Sequence, residues 1–275
     1  MATKVTVLGG GTDPALEGNG IDPRASIDPS ARVGLGCSIG PFAVIGPEVI
    51  LGPQCMVHSH AVIQGPTTLG PKNQLHSFAC IGGPPQDLRY RGEKTTLIIG
   101  ARNEFREHVT VNRGTPHGGG VTTIGNDNLM MAYSHVAHDC QLGNHIVMAN
   151  HATIAGHTHV QDHVVFGGLV GVGQFLRIGE SAMLAAGSMI EQEIPPFCTV
   201  AGDRARLRAV NRIGLERRNI EPLAKRQIKA IFKALKKRGT PLTRIIAEFG
   251  DLEALTPEAR RMLDFLGRVR HGLAR

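Results

Sequence analysis

Two histidines and an aspartate stand close together in the segment Ser134-His135-Val136-Ala137-His138-Asp139, and His157 follows eighteen residues after Asp139. A neutral imidazole accepts a proton near pH 7, and a neighbouring carboxylate can hold the ring in one tautomer. The residue types therefore suit general-base chemistry. Gly156, immediately before His157, would let a backbone N–H approach the oxygen of a ligand, as an oxyanion donor must.

A repeat of six residues must position these side chains. Small aliphatic residues return at every sixth position from Ile21 to Ile81 and again from Ile124 to Ile190, twenty-three positions in all. The residue after each aliphatic is often Gly, and the fifth position is usually small. Neither an α-helix, with a period near 3.6, nor an ordinary strand, with a period of 2, fits this pattern.

A period of six is typical of a parallel β-helix, in which each hexapeptide forms one short strand and one tight corner. We expect the aliphatic to point into a narrow core, the glycine to relieve the backbone at the corner, and the small residue to fit where space runs out. Three hexads make one coil, so residues eighteen apart lie one above the other, about 4.8 Å apart. Asp139 and His157 are therefore predicted to be neighbours.

The repeat divides the chain into three parts. We predict a mainly β fold, with the β-helix over residues 21–202 and a small, basic C-terminal α-helical domain over residues 203–275, where helical periodicity begins near Ala205. Residues 1–20 hold glycines that imitate a dinucleotide fingerprint, but no helix follows, so we expect an extra edge strand or a mobile extension.

Two stretches leave the six-residue register, Gly83–Lys94 and Arg113–Gly120. Insertions in solenoids map to one face, which is often the binding face. Both stretches are therefore predicted to be loops ejected from the wall of the β-helix beside a binding site.

The charge of the chain is unevenly distributed. Residues 1–202 carry 11 Lys and Arg against 15 Asp and Glu, whereas residues 203–275 carry 19 against 8. The C-terminal part therefore suits an anionic partner: a nucleic acid, an anionic membrane, an acidic protein or a phosphate-bearing ligand. Its aromatic residues are few, which weakens a nucleic-acid interface based on base stacking.

Hydropathy and cysteine content indicate the cellular compartment of the protein. No stretch of eighteen apolar residues exists, so no membrane span is expected, and the N-terminus lacks the apolar core of a signal peptide, which predicts a cytoplasmic protein. The five cysteines form no CxxC pair. We expect them to be reduced, buried small residues, not disulfides or a zinc site.

Spacing alone leaves other interpretations open. His145 and His163 are also eighteen apart with no motif around them, so stacked polar residues can occur on the wall without chemistry. A zinc site of three histidines, as β-helix trimers can form, is a third interpretation. Gly156 equally suits a simple corner glycine. The charges of loop 86–90 and of Arg217-Arg218, which could hold a phosphate, suit ordinary solvated side chains as well.

Several motifs in this order closely resemble those of the UDP-N-acetylglucosamine acyltransferase family. They are Gly82-Gly-Pro-Pro-Gln-Asp-Leu-Arg-Tyr-Arg-Gly-Glu, Asn112-Arg-Gly-Thr-Pro-His-Gly-Gly-Gly, Asp127-Asn-Leu-Met-Met, His135-Val-Ala-His-Asp-Cys, Ala149-Asn-His-Ala-Thr-Ile-Ala-Gly-His and Gly214-Leu-Glu-Arg-Arg. The resemblance covers residues 21–275, including both ejected loops and the helical tail, and residues 1–20 lie outside it.

The resemblance implies a left-handed β-helix and a homotrimer with active sites in the clefts between subunits. It implies transfer of an (R)-3-hydroxyacyl group from acyl carrier protein, where a phosphopantetheine thioester holds it, to the 3-hydroxyl of UDP-N-acetylglucosamine, the first step of lipid A biosynthesis. Neither a cofactor nor a metal is implied, and neither a nucleic-acid partner nor stable membrane insertion is expected. The acidic carrier protein would account for the basic tail.

The resemblance also implies roles for particular residues. His138 corresponds to the general base, Asp139 to its orienting carboxylate, and Gly156 to the oxyanion amide. The residues that correspond to the surroundings of the sugar nucleotide are Gln86, Asp87, Arg89, His135 and His157. Those that correspond to the surroundings of the nucleotide and the pantetheine arm are Asn211, Arg217 and Arg218, and Gln174 falls in a further motif position.

Two positions depart from the family. Gly173 stands where His is frequent, which raises the alternative of a 3-amino acceptor and an amide product. Ala186 stands where some members have Gly at the end of the acyl channel, so its methyl group could shorten the preferred acyl chain. Two other classes of protein remain as alternatives on the same fold. A metal-dependent hydratase would need three convergent histidines with bound zinc. A non-catalytic scaffold would keep its binding function after His138→Ala.

Overall fold

The computed structural model describes residues 6–8, 20–237, 239–250 and 254–275. Three sheets, which we name A, B and C, wind around one hydrophobic core as a left-handed parallel β-helix. The chain visits them in the repeating order B, C, A, so each coil contributes one short strand to each sheet. The predicted fold class is confirmed.

The strands of sheet A are β1 (Thr6–Leu8), β4 (Arg32–Gly34), β7 (Val49–Leu51), β10 (Thr67–Leu69), β13 (Thr96–Ile99), β16 (Val121–Ile124), β19 (Gln141–Leu142), β22 (His159–Val160) and β25 (Arg177–Ile178). The strands of sheet B are β2 (Gly20–Ile21), β5 (Ser38–Ile39), β8 (Met56–Val57), β11 (Gln74–Leu75), β14 (Glu104–Phe105), β17 (Leu129–Met130), β20 (Val147–Met148), β23 (Val165–Phe166), β26 (Met183–Leu184), β28 (Cys198–Ala201) and β29 (Arg206–Val210). The strands of sheet C are β3 (Ser26–Ile27), β6 (Val44–Ile45), β9 (Val62–Ile63), β12 (Cys80–Gly83), β15 (Thr110–Asn112), β18 (His135–Val136), β21 (Thr153–Ile154), β24 (Gly171–Val172) and β27 (Met189–Ile190).

The register of the sheets follows the six-residue period. Residues eighteen apart pair in parallel, as Val136 does with Ile154, and the aliphatic positions are buried in a single core. Among the parallel pairs of residues 20–201, the spacing widens beyond eighteen where the loops leave the wall, between β12 and β13 and between β15 and β16. Strand β1 pairs with β4 at the edge of sheet A. The other residues of the predicted 1–20 extension, apart from Gly20, lie outside the described residues.

The predicted role of the glycines is wrong. The backbone turns into the left-handed region at the third residue after most of the aliphatics, and that residue is usually not glycine: Phe42, Gln54 and His60 have φ near 60°. The glycine directly after the aliphatic instead faces the next coil. A Cβ on Gly52 would lie 2.5 Å from the carbonyl carbon of Gly70. These glycines are therefore needed for the close stacking of coils.

The cysteines follow the prediction with one exception. Cys37, Cys55, Cys140 and Cys198 are buried. Cys80 is exposed, because it immediately precedes the inward-pointing Ile81 in β12 and side chains alternate along a strand.

A buried asparagine ladder, which the hexad pattern did not predict, holds successive coils together at the small fifth position. The Asn103 amide donates to Asn73 Oδ1 at 2.9 Å and to the carbonyl oxygen of Gly125 at 3.0 Å. Its Oδ1 accepts from the side-chain amide of Asn128 at 2.8 Å. All three asparagines are buried, so these bonds replace the hydrogen bonds that their amides would make with water.

Breaking this ladder is expected to destabilise the fold. Asn103→Ala removes four buried hydrogen bonds and leaves the backbone N–H of Asn128 without its acceptor, so the free energy of unfolding should fall by about 3 kcal/mol. Ser134→Ala is the matched control, because Ser134 occupies the same fifth position and its buried hydroxyl has no partner. Urea unfolding followed by circular dichroism measures both, and equal stability of the two variants would contradict the expectation.

The C-terminal part begins with a strand. Helical structure was predicted from near Ala205, but β29 pairs antiparallel with β28, and the first helix begins at Arg212. The helices are α1 (Arg212–Arg217), α2 (Pro222–Lys236), α3 (Leu242–Gly250) and α4 (Pro257–Leu266). None of the helices in the described ranges is both long and apolar enough to cross a membrane.

The helices dock onto the last coils through buried charges. Arg177 in sheet A pairs with the fully buried Glu193 at 2.7 Å and donates to the carbonyl oxygen of Phe265 in α4 at 2.9 Å. Arg261 in α4 pairs with Glu180 at 2.6 Å. Apolar side chains of α2, such as Ile228 and Ile231, join the same continuous core as the β-helix.

Candidate active site

The histidine segment lies where sheet C turns into sheet A, which we call the C–A edge and define by Asp139, His157 and Phe175. Each of these three residues adopts the left-handed conformation, with φ near 60°, on a successive coil. The backbone N–H of His157 donates to the carbonyl oxygen of His138, and His157 Nε2 lies 3.8 Å from Asp139 Oδ2. The predicted proximity of Asp139 and His157 is confirmed.

His138 and Asp139 form a buried pair. The Nδ1 atom of His138 donates to Asp139 Oδ2 at 2.7 Å, and the two residues are 7% and 5% exposed. Because a carboxylate only accepts hydrogen bonds, the proton of the neutral ring is on Nδ1, and Nε2 keeps its lone pair. The pair therefore has the tautomer that a general base requires.

The Asp139 carboxylate is held from the opposite side by the second ejected loop. Thr115 donates its backbone N–H to Oδ1 at 2.8 Å and its hydroxyl to Oδ2 at 2.7 Å. The backbone N–H of Asp139 donates to the hydroxyl oxygen of Thr122 at 2.7 Å. Both the side chain and the main chain of Asp139 are thus fixed by neighbours on the preceding coil.

Gly156 lies against the imidazole of His138. A Cβ at this position would be 2.7 Å from Cε1 and 3.0 Å from Nε2 of the ring. Gly156 lies in the turn at this corner, but the left-handed residue there is His157, with φ 60°, so the backbone conformation does not call for a glycine. Glycine is required here because the ring occupies the space of a side chain.

The two flanking histidines are held neutral by their surroundings. Burial lowers the pKa of His135, whose Nδ1 lies 2.7 Å from the hydroxyl of Thr110. Burial also lowers the pKa of His157, against the opposing effect of the Asp139 charge. The His157 ring stacks on Phe175 at 4.5 Å and meets the His138 ring edge-on at 5.1 Å. Both neutral rings can exchange hydrogen bonds with a polar substrate.

The first ejected loop brings two charges to this site. Arg89 pairs with Asp87 at 2.7 Å and holds the pKa of that carboxyl well below its usual range, with a smaller contribution from His138. Arg89 in turn contributes to the lowered pKa of His157. Asp87 and Arg89 are therefore electrostatic neighbours of His138 and His157, and Gln86 is exposed on the same loop.

The two loops are joined at their bases by Arg113. Its guanidinium donates to the carbonyl oxygen of Gly82 at 2.5 Å and to the hydroxyl of Tyr90 at 3.4 Å, and its backbone N–H donates to the carbonyl oxygen of Gly83. Arg113 is itself buried. The loop that carries Asp87 is thereby anchored to the loop that carries Thr115.

Asn211, Arg217 and Arg218 lie elsewhere in the chain. Asn211 and Arg218 contact Ser181, at the edge where sheet A turns into sheet B: Asn211 donates to the Ser181 carbonyl oxygen at 2.9 Å, and Arg218 donates to its hydroxyl at 2.7 Å. The Asn211 side chain also caps α1, and Arg218 pairs with Glu180. Arg217 is exposed. A single chain therefore does not bring these three residues to His138.

The remaining predicted positions are accessible from outside the core. Gln174 is exposed and lies eighteen residues after Gly156, two coils beyond His138. Ala186 is exposed between β26 and β27. A Cβ at Gly173 would lie 3.2 Å from the carbonyl oxygen of Ile190, so a larger residue there needs only a small shift of its neighbours.

A metal ion would compete with bonds that already exist in this site. Ligand atoms of His138, Asp139 and His157 lie within 4.8 Å of one another. The Asp139 carboxylate, however, already accepts two hydrogen bonds from Thr115 and one from His138. This group holds two histidines and one carboxylate, whereas the zinc interpretation needs three histidines. Binding of a metal would therefore break hydrogen bonds that fix the His138–Asp139 pair.

Sequence reasoning missed three residues that shape the site. Thr115 holds Asp139, Thr110 bonds His135, and Phe175 stacks on His157. Thr115 lies in a loop that was predicted to leave the wall, and Phe175 is eighteen residues from His157. Register alone could therefore have predicted the stacking, whereas the path of the loop could not be predicted from the repeat.

Comparisons with known proteins assign this arrangement to a family. Residues 193–274 match the sequence model described as Udp N-acetylglucosamine O-acyltransferase, domain 2. The chain is 45% identical over 255 residues to the acyl-[acyl-carrier-protein]–UDP-N-acetylglucosamine O-acyltransferase of Alkalilimnicola ehrlichii, covering 93% of this chain and 99% of that protein. It is 43% identical over 192 residues to the enzyme of the same name from Stenotrophomonas maltophilia, covering 70% of this chain and 73% of that protein.

Solved structures agree with the sequence relatives. LpxA from Acinetobacter baumannii superposes with a TM-score of 0.90 at 36% identity, covering 94% of this chain and 100% of that chain. The UDP-N-acetylglucosamine O-acyltransferase of Moraxella catarrhalis superposes with a TM-score of 0.89 at 34% identity, covering 93% of this chain and 99% of that chain. The chain therefore belongs to the UDP-N-acetylglucosamine O-acyltransferase family.

Proposed function

We propose that this protein transfers an (R)-3-hydroxyacyl group from acyl carrier protein to the 3-hydroxyl of UDP-N-acetylglucosamine, the first step of lipid A biosynthesis. The observation that carries the proposal is the buried His138–Asp139 pair, with Nε2 of His138 left as a proton acceptor beside Gly156. Membership of the family supports the choice of both substrates.

The chemistry follows from this geometry. His138 Nε2 takes the proton of the sugar 3-hydroxyl as that oxygen attacks the thioester carbonyl. The Gly156 N–H donates to the oxyanion of the tetrahedral intermediate. Collapse of the intermediate breaks the carbon–sulfur bond, and the protonated His138 returns its proton to the departing pantetheine sulfur. Asp139 stabilises the imidazolium between these two transfers.

The sugar nucleotide is assigned to the groups around this pair. Asp87 and Arg89 on the first loop, with the neutral His135 and His157, offer a carboxylate, a cation and two imidazoles beside His138. Gln86 and Gln174 are exposed beside the same edge. We assign no step to a metal or a cofactor, because the acyl group arrives already activated as a thioester.

The assembly that we propose is a homotrimer with active sites between subunits. Asn211, Arg217 and Arg218 lie on a different edge of the prism from His138, so a site that uses both groups must combine two chains. A column of half-exposed rings that includes Phe42, Phe78 and Tyr133 runs along the edge where sheet B turns into sheet C, which supports self-association.

The donor and the compartment complete the proposal. The carrier protein is acidic, and residues 203–275 hold 19 Lys and Arg against 8 Asp and Glu, which favours its docking on that part of the chain. Arg217 and Arg218 are proposed to lie near the pantetheine arm, and Ala186 near the end of the acyl chain. A cytoplasmic location fits a reaction that uses acyl carrier protein.

A direct assay tests the proposal. We expect the purified protein with 3-hydroxyacyl carrier proteins of several lengths to form product from UDP-N-acetylglucosamine, measured by separation of the nucleotide products. The 3-amino analogue is offered in parallel, because Gly173 stands where His is frequent. Product from the 3-amino analogue alone would show that the acceptor carries an amine and not a hydroxyl, and Gly173→His would then be the first variant to make. Absence of product from both acceptors would overturn the proposed function.

A further inference from the structure

We propose that Thr115 is a positioning residue of this active site: it sets the orientation of the Asp139 carboxylate, and through that carboxylate the tautomer and direction of the His138 ring. The inference rests on the proposed function, since it concerns how the same site is held ready. Thr115 is 1% exposed and belongs to the loop 113–120 that leaves the wall and returns beside the next coil.

Thr115 contacts both oxygens of one carboxylate. Its backbone N–H donates to Asp139 Oδ1 at 2.8 Å, and its hydroxyl donates to Oδ2 at 2.7 Å. Oδ2 is also the atom that accepts from His138 Nδ1 at 2.7 Å. The carboxylate therefore cannot rotate about its Cβ–Cγ bond without stretching charge-assisted hydrogen bonds on both oxygens, and such bonds are among the stronger ones in proteins.

The direction of the Thr115 hydroxyl is itself determined. The backbone N–H of Gly118 donates to Thr115 Oγ1 at 3.1 Å, so the hydroxyl oxygen is already an acceptor and its proton is free to point at Asp139. The backbone N–H of Gly120 donates to the Thr115 carbonyl oxygen at 2.8 Å and closes the turn. The loop therefore holds the backbone N–H and the hydroxyl of Thr115 in one orientation toward the Asp139 carboxylate.

The loop lies directly on the carboxylate. A Cβ on Gly118 would overlap the Asp139 side chain, so only glycine permits this approach. Because the loop excludes water from this side, Thr115 supplies the hydrogen bonds that water would otherwise give to the charged Asp139, which is 5% exposed. Loss of the hydroxyl leaves Oδ2 with His138 as its remaining hydrogen-bond donor among the described side chains, while His157 Nε2 lies at 3.8 Å.

The test is the pair Thr115→Val and Thr115→Ser. Valine keeps the shape and the backbone donor but removes the hydroxyl, so kcat should fall about ten- to a hundredfold while KM for UDP-N-acetylglucosamine changes by less than about twofold. Serine keeps the hydroxyl and should restore most of kcat. Thr95→Val is the matched control, because Thr95 is a buried threonine whose hydroxyl has no partner.

A double-mutant cycle separates positioning from a general effect on the loop. In the Asp139→Ala background, Thr115→Val should cause no further loss of kcat, because its target is gone. An equal fractional loss in both backgrounds would overturn the inference, and so would full activity of Thr115→Val or failure of serine to restore it. Inactive wild-type protein would instead count against the proposed function.

A measurement without substrate distinguishes a failure of this inference from a failure of the proposed function. In 15N-labelled protein, the His138 ring, assigned by comparison with His138→Ala, should show the Nδ1-protonated tautomer. Thr115→Val should show a mixture of both tautomers, whereas Thr95→Val should match the wild type. An unchanged tautomer in Thr115→Val would overturn the inference, whatever the outcome of the activity assay.

Discussion

His138→Ala is expected to lower kcat for acyl transfer about 10³-fold, because general-base catalysis contributes on that order and no other group takes over the Nε2 position. Substrate affinity should change much less, since the sugar nucleotide is assigned mainly to neighbouring residues. The measurement is the rate of product formation at saturating concentrations of both substrates, with circular dichroism to verify the fold. Asp139 should keep its bonds from Thr115 in this variant.

The matched control is His145→Ala. His145 stacks on His163 at 4.7 Å with the rings nearly parallel, on a different edge of the β-helix from His138. It has the same residue type and its ring also contacts a second histidine ring, so it reports the cost of losing such a ring contact. Equal activity of the two variants would contradict the general-base assignment.

Gly156→Ala is expected to lower kcat about a hundredfold in a protein that remains folded. The added Cβ would lie 2.7 Å from Cε1 of the His138 ring, so the imidazole must move. A displacement of a catalytic group by about 1 Å costs a loss of this size. Because alanine keeps its backbone N–H, the oxyanion donor remains, and the loss reports the displaced ring.

Gly168→Ala is the control for adding a methyl group to the β-helix. A Cβ on Gly168 would lie 3.5 Å from the carbonyl oxygen of Asn150, which is ordinary contact. We expect near wild-type activity for this variant. If Gly156→Ala were equally active, the His138 ring would have to be free to move without loss of function, and a base fixed by Asp139 would be ruled out.

The repeat of six predicted the fold because each hexad has its own local reason to form. An inward aliphatic such as Val136 stacks on Ile154 of the next coil, and both are buried. The six-residue period therefore predicted which residues pair between successive coils along the β-helix. It did not predict the reason for the glycines, since the close approach of Gly52 to Gly70 is a contact between coils. Nor did it predict β29, which forms by pairing with β28.

Register also predicted the core of the site. Asp139 and His157 are eighteen residues apart, and the structure brings their side chains to 3.8 Å at one edge. The same counting did not place Arg218, whose environment depends on how α1 docks against Ser181. Residues 203–275 lack the repeat, so no fixed spacing relates them to the coils.

The β-helix, its edge of histidines and the two loops that leave it were predictable from the amino-acid pattern, because a six-residue period converts sequence distance directly into spatial distance. The contact of Thr115 with Asp139 and the space that Gly156 leaves for His138 became evident only in three dimensions. Both contacts depend on backbone paths outside the repeat or on the exact packing of a ring. Such contacts are set by the meeting of distant segments, which local periodicity does not encode.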